Sequence, residues 1–473
     1  MNLPVRVRFA PSPTGHLHIG SVRAAMFNWI FARHSGGAYL LRVEDTDLLR
    51  SKKEYLESQL ASLAWFGLLP DEDIVYQMSR AAEHVKAAQD LMNKGFAYPC
   101  FCQPRDADEV VEDLEQGIGN KYAGTCRNKE FSLRDLQQPY AIRFKVPDNL
   151  TSVEFQDVIR GKISIAADQL DDFVIIRRDG SPIYNFCVVV DDIFMNITHV
   201  IRGEDHISNT HKQVLFYKAL GAPVPLFAHL PLILGQAGNK LSKRDASVSV
   251  EEYRAQGFMA DALFNYLVRL GWSHGDQEVF SREQMVEAFE LENVGKKGAI
   301  FDIKKLLWLN GVYIRQSSAE TLLEEIRKMD ASVHQQLESL WERAKLYSLI
   351  DQYKQRATTL VDLASGIIAL ASDPAAYDLS LIEKWRTEKT GTLLAAFDEA
   401  LAAMPNPEHD QLLSAAKVIC EAHSDKLVSI AQPLRLALTG SVQSPGVFEL
   451  IQIMGKEISK RRIHAMMKSL SLQ

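Results

Sequence analysis

Five residues near the start of the chain, Val5-Arg-Val-Arg-Phe9, alternate apolar and cationic side chains, and that alternation permits one local structure. A period of two is that of a β-strand, with Val5, Val7 and Phe9 on one face and Arg6 and Arg8 on the other. Pro11, Pro13 and Gly15 end the strand. From Ser21 apolar residues return at helical spacing through Ala24, Ala25, Phe27, Trp29, Ile30 and Phe31, until Gly36 and Gly37 stop the run. A second strand pattern, Tyr39 to Val43, closes on Glu44-Asp-Thr-Asp47. Strand, helix and strand of these lengths predict a right-handed crossover in a parallel sheet. His16 and His18 then fall at the strand-to-helix turn, where unpaired amides and the helix dipole favour an anion. Gly20 lets that backbone come close to a ligand.

A second phosphate-handling element follows much later. Gly235, Gly238 and Asn239 precede Lys240-Leu-Ser-Lys-Arg244, so three cations within five residues sit on an expected flexible loop after the apolar run His229 to Leu234. Such a loop could close over a triphosphate. Alone, each motif has a bland reading, as a solvated charge cluster or an ordinary helix start. Both in one chain, in this order and behind a Pro-Ser-Pro-Thr-Gly lead-in, point to ATP chemistry.

With these motifs on the page, the chain resembles the bacterial glutamyl-tRNA synthetases, members of class I of the aminoacyl-tRNA synthetases. His18-Ile-Gly-Ser21 stands in the place of the HIGH signature and Lys240 to Arg244 in that of KMSKS. Arg8 to Gly15, Leu41 to Asp47, Tyr184 to Asp192, Val200 to Asp205 and Leu306 to Asn310 also read like that family, and Gln432 to Gly440 extends the likeness into the C-terminal region. Ser21 departs from the class-wide histidine. The resemblance implies that glutamate attacks the α-phosphorus of ATP, that pyrophosphate leaves, and that the adenylate acylates the terminal adenosine of tRNA(Glu) with release of AMP. It leaves open whether tRNA(Gln) is charged as well. His18, Lys243 and Lys240 are the expected catalytic donors, and His18, Gly20, Ser21, Lys240, Ser242 and Lys243 the expected ATP contacts. Residues matching Arg8, Ala10, Ser12, Glu44, Tyr184 and Arg202 contact glutamate in the family. Arginine suits a carboxylate because its fork can bind both oxygens. Outside the family context, Arg8 and Arg202 read equally well as surface ion pairs. Val188 stands where some members carry asparagine, and cannot donate a hydrogen bond. Magnesium is expected to travel with ATP, no dedicated carboxylate cage being evident.

Three of the five cysteines cluster in sequence, as Cys100-Phe-Cys102 and Cys126. No signal-peptide core and no membrane-length apolar run is present, so a cytoplasmic chain without membrane contact is expected, in which metal binding outranks disulfides. Three thiolates need a fourth ligand for tetrahedral zinc. Asn128 occupies the place where zinc-binding relatives often have histidine, and Tyr122 is the expected substitute, by the spacing of a related group of enzymes. The competing reading is a set of free cysteines left from a lost site.

The chain has 473 residues, 47% hydrophobic, and a net charge of −7, enough for about three domains or more and unlike a nonspecific nucleic-acid binder. Residues 455–473 nonetheless carry five cations, Lys456, Lys460, Arg461, Arg462 and Lys468, against Glu457. Glycine is concentrated before residue 320, while segments such as Glu320 to Met329, Leu337 to Tyr353 and Leu393 to Met404 read as amphipathic helices, with breaks at Ser372-Asp-Pro and Met404 to Pro407. The expected fold is α/β: a Rossmann-type parallel-sheet catalytic domain (1–99 and 191–245), an inserted acceptor-binding domain with the cysteines (100–190), a stem-contact domain (246–320) and an all-α anticodon-binding region (321–473), one or two subdomains in a monomer. A small nucleotidyltransferase would leave the helical tail unexplained. Glutaminyl enzymes typically carry a β-barrel there.

Overall fold

The computed structural model describes residues 4–47, 50–103, 122–239, 241, 249–442 and 444–471. The chain divides into two compact units, residues 1–251 with 264–301, and residues 252–263 with 302–473.

In the first unit, β1 (Arg6–Phe9) and β2 (Ala38–Val43) pair in parallel, joined by helix α1 (Ile19–His34). This is the crossover predicted from the residue periods. Val7, Ile30 and Val43 have no exposed surface, so the strand alternation and the helical stripe close on one core. Each such side chain contributes about 1.5–3 kcal/mol of burial. Gly37 is required where β2 enters beside β1, since a Cβ there would lie 2.3 Å from the Val5 carbonyl oxygen. Helix α2 (Lys53–Trp65) leads to β3 (Val75–Tyr76), which extends the parallel sheet beyond β2.

Helix α3 (Ala81–Asn93) precedes β4 (Ala97–Cys100), which forms an antiparallel sheet with β5 (Ala141–Phe144) and, beyond it, β8 (Phe173–Ile176). Between the last two, β6 (Ser152–Asp157) and β7 (Gly161–Ala166) make a hairpin. Helix α4 (Tyr184–Phe194), β9 (His199–Gly203), α5 (Ile207–Leu220) and β10 (Leu226–Leu230) complete a second parallel unit, with Arg202 opposite His229. Strand β6 joins it at Asp157, opposite Phe227. β9 begins at His199 and not at the apolar Ile197. Ile197 instead closes α4, its N–H bonding Asp192 O at 2.9 Å after Asn196 turns at φ 54°. Thr198 N–H then donates to Arg6 O at 2.9 Å, bringing β9 alongside β1. β11 (Ile233–Leu234) pairs in parallel with β12 (Ala299–Ile300).

Among the described residues from 302 onward the regular elements are helices, from Ile303–Gln316 to Lys456–Ser471. The expected helix from Leu337 to Tyr353 is two helices, Ala331–Leu340 and Arg343–Tyr353. Trp341 (φ −134°, ψ 137°) is extended and packs its ring on the unit's core, which turns the chain at the junction. The basic character of the last helix is largely spent inside the unit. Arg461 and Arg462 share Asp373, Arg462 also donates to the carbonyls of Leu370 and Ser372, and Lys456 Nζ donates to Ala402 O at 2.6 Å.

Candidate active site

Beyond the carboxyl ends of β1 and β9 lies a cleft of about 510 Å³ lined by Arg8, Ala10, Ser12, His18, Gly20, Ser21, Glu44, Tyr184 and Arg202. Ligands of open parallel sheets bind in this position. All the expected glutamate contacts, and His18, Gly20 and Ser21 of the HIGH-like stretch, therefore share one cavity. Lys240, Ser242 and Lys243 lie outside the described residues. Leu241, between them, lines the same cleft, its N–H bonded to Ile233 O at 3.0 Å.

His18 is the N-cap of α1, and its Nδ1 accepts the Gly20 N–H at 3.0 Å. Since Nδ1 is the acceptor, the ring N–H is the one on Nε2. Gly20 is needed partly for this ring, because a Cβ there would stand 3.2 Å from Nδ1. Ser21 is exposed on the first turn. His16 also lines the cleft, with its Nδ1 2.9 Å from Ser58 Oγ and 2.8 Å from Glu251.

The two arginines differ from the surface-pair reading and from each other. Arg8 is buried, with Nε and Nη2 at 3.1 and 3.3 Å from the carboxylate of Asp192 on α4. The same carboxylate bonds Arg42, which bonds Glu44 at 3.1 Å. Burial raises the pKa of Glu44 against the opposing pull of Arg42 and Arg8. Burial alone would raise Asp192 too, but the charges of Arg42 and Arg8 bring it below the ordinary carboxylate value.

Arg202 has no carboxylate partner among the described residues. Its Nη2 donates to Thr210 Oγ1 and Gln213 Oε1 at 2.8 Å each, and its Nε to His229 Nε2 at 3.2 Å. Nη1 is buried without a hydrogen-bond partner among the described residues. Burial pushes the guanidinium pKa down to about 10, so the group stays charged at neutral pH. A buried cation with one orphan donor nitrogen, on a residue that lines a cleft, is prepared for an anion from outside. The expected two-oxygen fork is amended: the protein engages Nε and Nη2, and Nη1 is what remains. His206, beside it, is pushed down to about 4, by burial and then by the charge of Arg202, so it is neutral at pH 7.

Sequence reading missed the residues that hold these groups: Arg42, Asp192, Asp157, Thr210, Gln213 and His229. One signal was available, the Asp191-Asp192 pair at the end of the apolar run Cys187 to Val190, since charges in a buried helix need partners. Asp191 accordingly meets His84 at 2.8 Å and Arg80 at 2.7 Å.

Away from the cleft, the sulfurs of Cys100, Cys102 and Cys126 lie within 4.8 Å of one another. Tyr122 Oη is 3.6 Å from Cys100 Sγ and 3.7 Å from Cys102 Sγ, and Cys102 Sγ is 3.5 Å from Cys126 Sγ. A tetrahedron with zinc-sulfur bonds near 2.3 Å has edges of about 3.8 Å between sulfurs and about 3.5 Å to oxygen, so the donor set fits zinc. The Cys126 N–H donates to Tyr122 Oη at 2.8 Å, and the Arg143 guanidinium lies 3.8 Å from the Tyr122 ring centroid. Burial opposes ionisation of Cys100, yet hydrogen bonds with Tyr122 and Arg143 bring its thiol below the usual range.

Comparison with known proteins matches residues 4–308 to the catalytic domain of the class I tRNA synthetases (E and Q), and residues 321–467 to an anticodon binding domain. The chain is 42% identical to the glutamate-tRNA ligase of Thermodesulfovibrio yellowstonii over 97% of its own length and 98% of that protein's. It is 41% identical to the corresponding protein of Geobacter sulfurreducens, covering 97% of each. Among solved structures, a glutamate tRNA ligase of Elizabethkingia meningosepticum in complex with its amino acid superposes with a TM-score of 0.87 at 31% identity, covering 99% of this chain and 100% of that one.

Proposed function

Since this chain belongs to the glutamate-tRNA ligases of the class I synthetases, we propose a division of labour within its cleft that follows from which donors the fold leaves available. The reaction joins glutamate to tRNA using ATP. The glutamate α-carboxylate attacks the α-phosphorus, a phosphorus-oxygen bond to pyrophosphate breaks, and the adenylate then passes its glutamyl group to the terminal adenosine of tRNA(Glu) as AMP leaves. No covalent bond to the protein forms, so the residues position reactants and stabilise charge on the transferring phosphoryl group. His18 supplies its Nε2–H to the phosphates at the start of α1, with Gly20 and Ser21 beside it. Lys243 and Lys240, with Ser242, supply the mobile donors. Arg202 takes the substrate side-chain carboxylate through Nη1, and Arg8, Ala10, Ser12 and Tyr184 complete the amino-acid site. Glu44 faces the ammonium group. The single observation carrying this reading is the orphan Nη1 of a buried, charged Arg202 in the same cleft as His18.

Glu44, already bonded to Arg42, and Asp205 are the carboxylates lining the cleft among the described residues, which is no cage for an ion. Magnesium therefore belongs to the triphosphate, whose charge it neutralises when bound. The four-part domain division, monomeric state and cytoplasmic location are proposed along with these roles. No described helix is long and apolar enough to cross a membrane.

Pyrophosphate exchange into ATP, with glutamate and tRNA(Glu) present, tests the assignment. Lys243→Ala is expected to lower aminoacylation by about a hundredfold or more, the usual loss for a phosphate-directed donor. Turnover near that of the unmodified enzyme would remove the lysine from the mechanism.

Cys100, Cys102, Cys126 and Tyr122 are proposed to hold one structural zinc, which would tie β4 to the segment after residue 121. Elemental analysis of protein purified without added metal should give about one zinc per chain, as expected of a site this closely preformed. Cys126→Ser should lose the metal and lower the melting temperature. A metal-free protein with an unchanged melting temperature would identify the cysteines as free.

A further inference from the structure

We propose that His229 and Asp157 are positioning residues for glutamate recognition, locking the Arg202 guanidinium so that only its Nη1 donors remain for the substrate. The inference rests on the reading of Arg202 as the carboxylate-binding cation and lies one step behind it.

Asp157 ends β6, His229 lies on the neighbouring β10, and both are 0% exposed. Asp157 Oδ1 accepts the N–H groups of Ile159 (3.0 Å) and Arg160 (2.8 Å). Its Oδ2 accepts the His229 N–H (3.1 Å) and meets His229 Nδ1 at 2.6 Å. A carboxylate surrounded by backbone donors is an acceptor only, so the imidazole proton sits on Nδ1. Nε2 then presents a lone pair, and Arg202 Nε–H points at it from 3.2 Å. The opposite tautomer would set donor against donor at this contact and leave Asp157 without its ring partner. Burial, followed by the charge of Arg202 and against the pull of Asp157, lowers the ring pKa, which keeps the ring neutral.

The other edge is fixed independently. Gln213 Nε2 donates to Asn185 Oδ1 at 3.1 Å, so its amide oxygen is turned to Arg202 Nη2, where Thr210 Oγ1 also accepts. Nε and Nη2 are thereby engaged, Nη2 also lying 3.4 Å from His206 O, and the guanidinium cannot rotate without breaking these four hydrogen bonds. Asp157 sets the tautomer of His229, and His229 sets the orientation of the guanidinium and so of Nη1. Preorganisation of this kind improves affinity by removing the ordering cost at binding.

The test uses full-length protein in glutamate-dependent pyrophosphate exchange with tRNA(Glu). His229→Leu is expected to raise KM for glutamate about 10- to 100-fold, the loss of one hydrogen bond to a charged group, with KM for ATP changed by less than about threefold. His229→Gln retains a donor for Asp157 and an acceptor for Arg202, and should return KM for glutamate to within about threefold of the unmodified enzyme. Equal losses for both substrates, or no rescue by glutamine, overturn the positioning role. Nitrogen NMR of histidine-labelled, unmodified protein should show the Nδ1–H tautomer at His229, a readout independent of whether any variant folds. An Nε2–H ring overturns the proposal. Arg202→Ala separates the two levels: an unchanged KM for glutamate defeats the cleft reading and this inference with it, whereas a raised KM beside a normal His229→Leu defeats the positioning role alone.

Discussion

Arg202→Ala should lower kcat/KM for glutamate activation about a thousandfold, measured by pyrophosphate exchange in the presence of tRNA(Glu). Removing one member of a buried ion pair costs about 3–5 kcal/mol, and each 1.36 kcal/mol is tenfold in rate. In the free protein the arginine is already desolvated, its Nη1 lacking a partner among the described residues. Part of the desolvation cost is thus met on folding, and the substrate carboxylate supplies the bond that is missing. Arg202→Lys should recover little. One ammonium cannot satisfy His229, Thr210 and Gln213 while also reaching the cleft. A variant with normal glutamate activation would place the amino-acid carboxylate elsewhere.

The second large effect is on stability. Asp192→Ala should cost about 3–5 kcal/mol in denaturant unfolding, because two guanidiniums, Arg8 at 4% and Arg42 at 0% exposed, lose the carboxylate between them. The pH dependence has a definite sign. With its folded pKa below the ordinary 3.8, Asp192 contributes stability that is fully present above that value and is lost as pH falls through the lower folded pKa. The acid limb of the stability curve below about pH 4 should therefore be shallower in Asp192→Ala than in the unmodified protein. Equal acid limbs, or a loss under about 1 kcal/mol, would mean that Glu44 alone balances both cations.

Arg8 takes part in both arguments, and its position explains why. On β1 it follows the residue alternation, facing away from Val7 and Phe9, yet that face is covered by Asp192 of α4 rather than by solvent. Strand alternation tells which residues share a face and says nothing of what covers it. The same holds for the last helix, whose cations looked like a basic surface and are mostly joined to Asp373 and to carbonyls of the same unit.

Local periods and turn residues were enough, from the sequence by itself, to determine the strand-helix-strand opening and the helical C-terminal unit, while the short motifs carried the family resemblance and, through it, nine of the residues that line the cleft. These depend on neighbours within one or two turns, so they are written in consecutive residues. Tertiary structure alone decided what each cation is bound to: Arg8 to Asp192, Arg202 to Gln213 and through His229 to Asp157. Those partners lie on other elements, brought together by the pairing of β6, β9 and β10 and the packing of α4 and α5. Which donors stay open to a substrate depends on those contacts, and no local pattern encodes them.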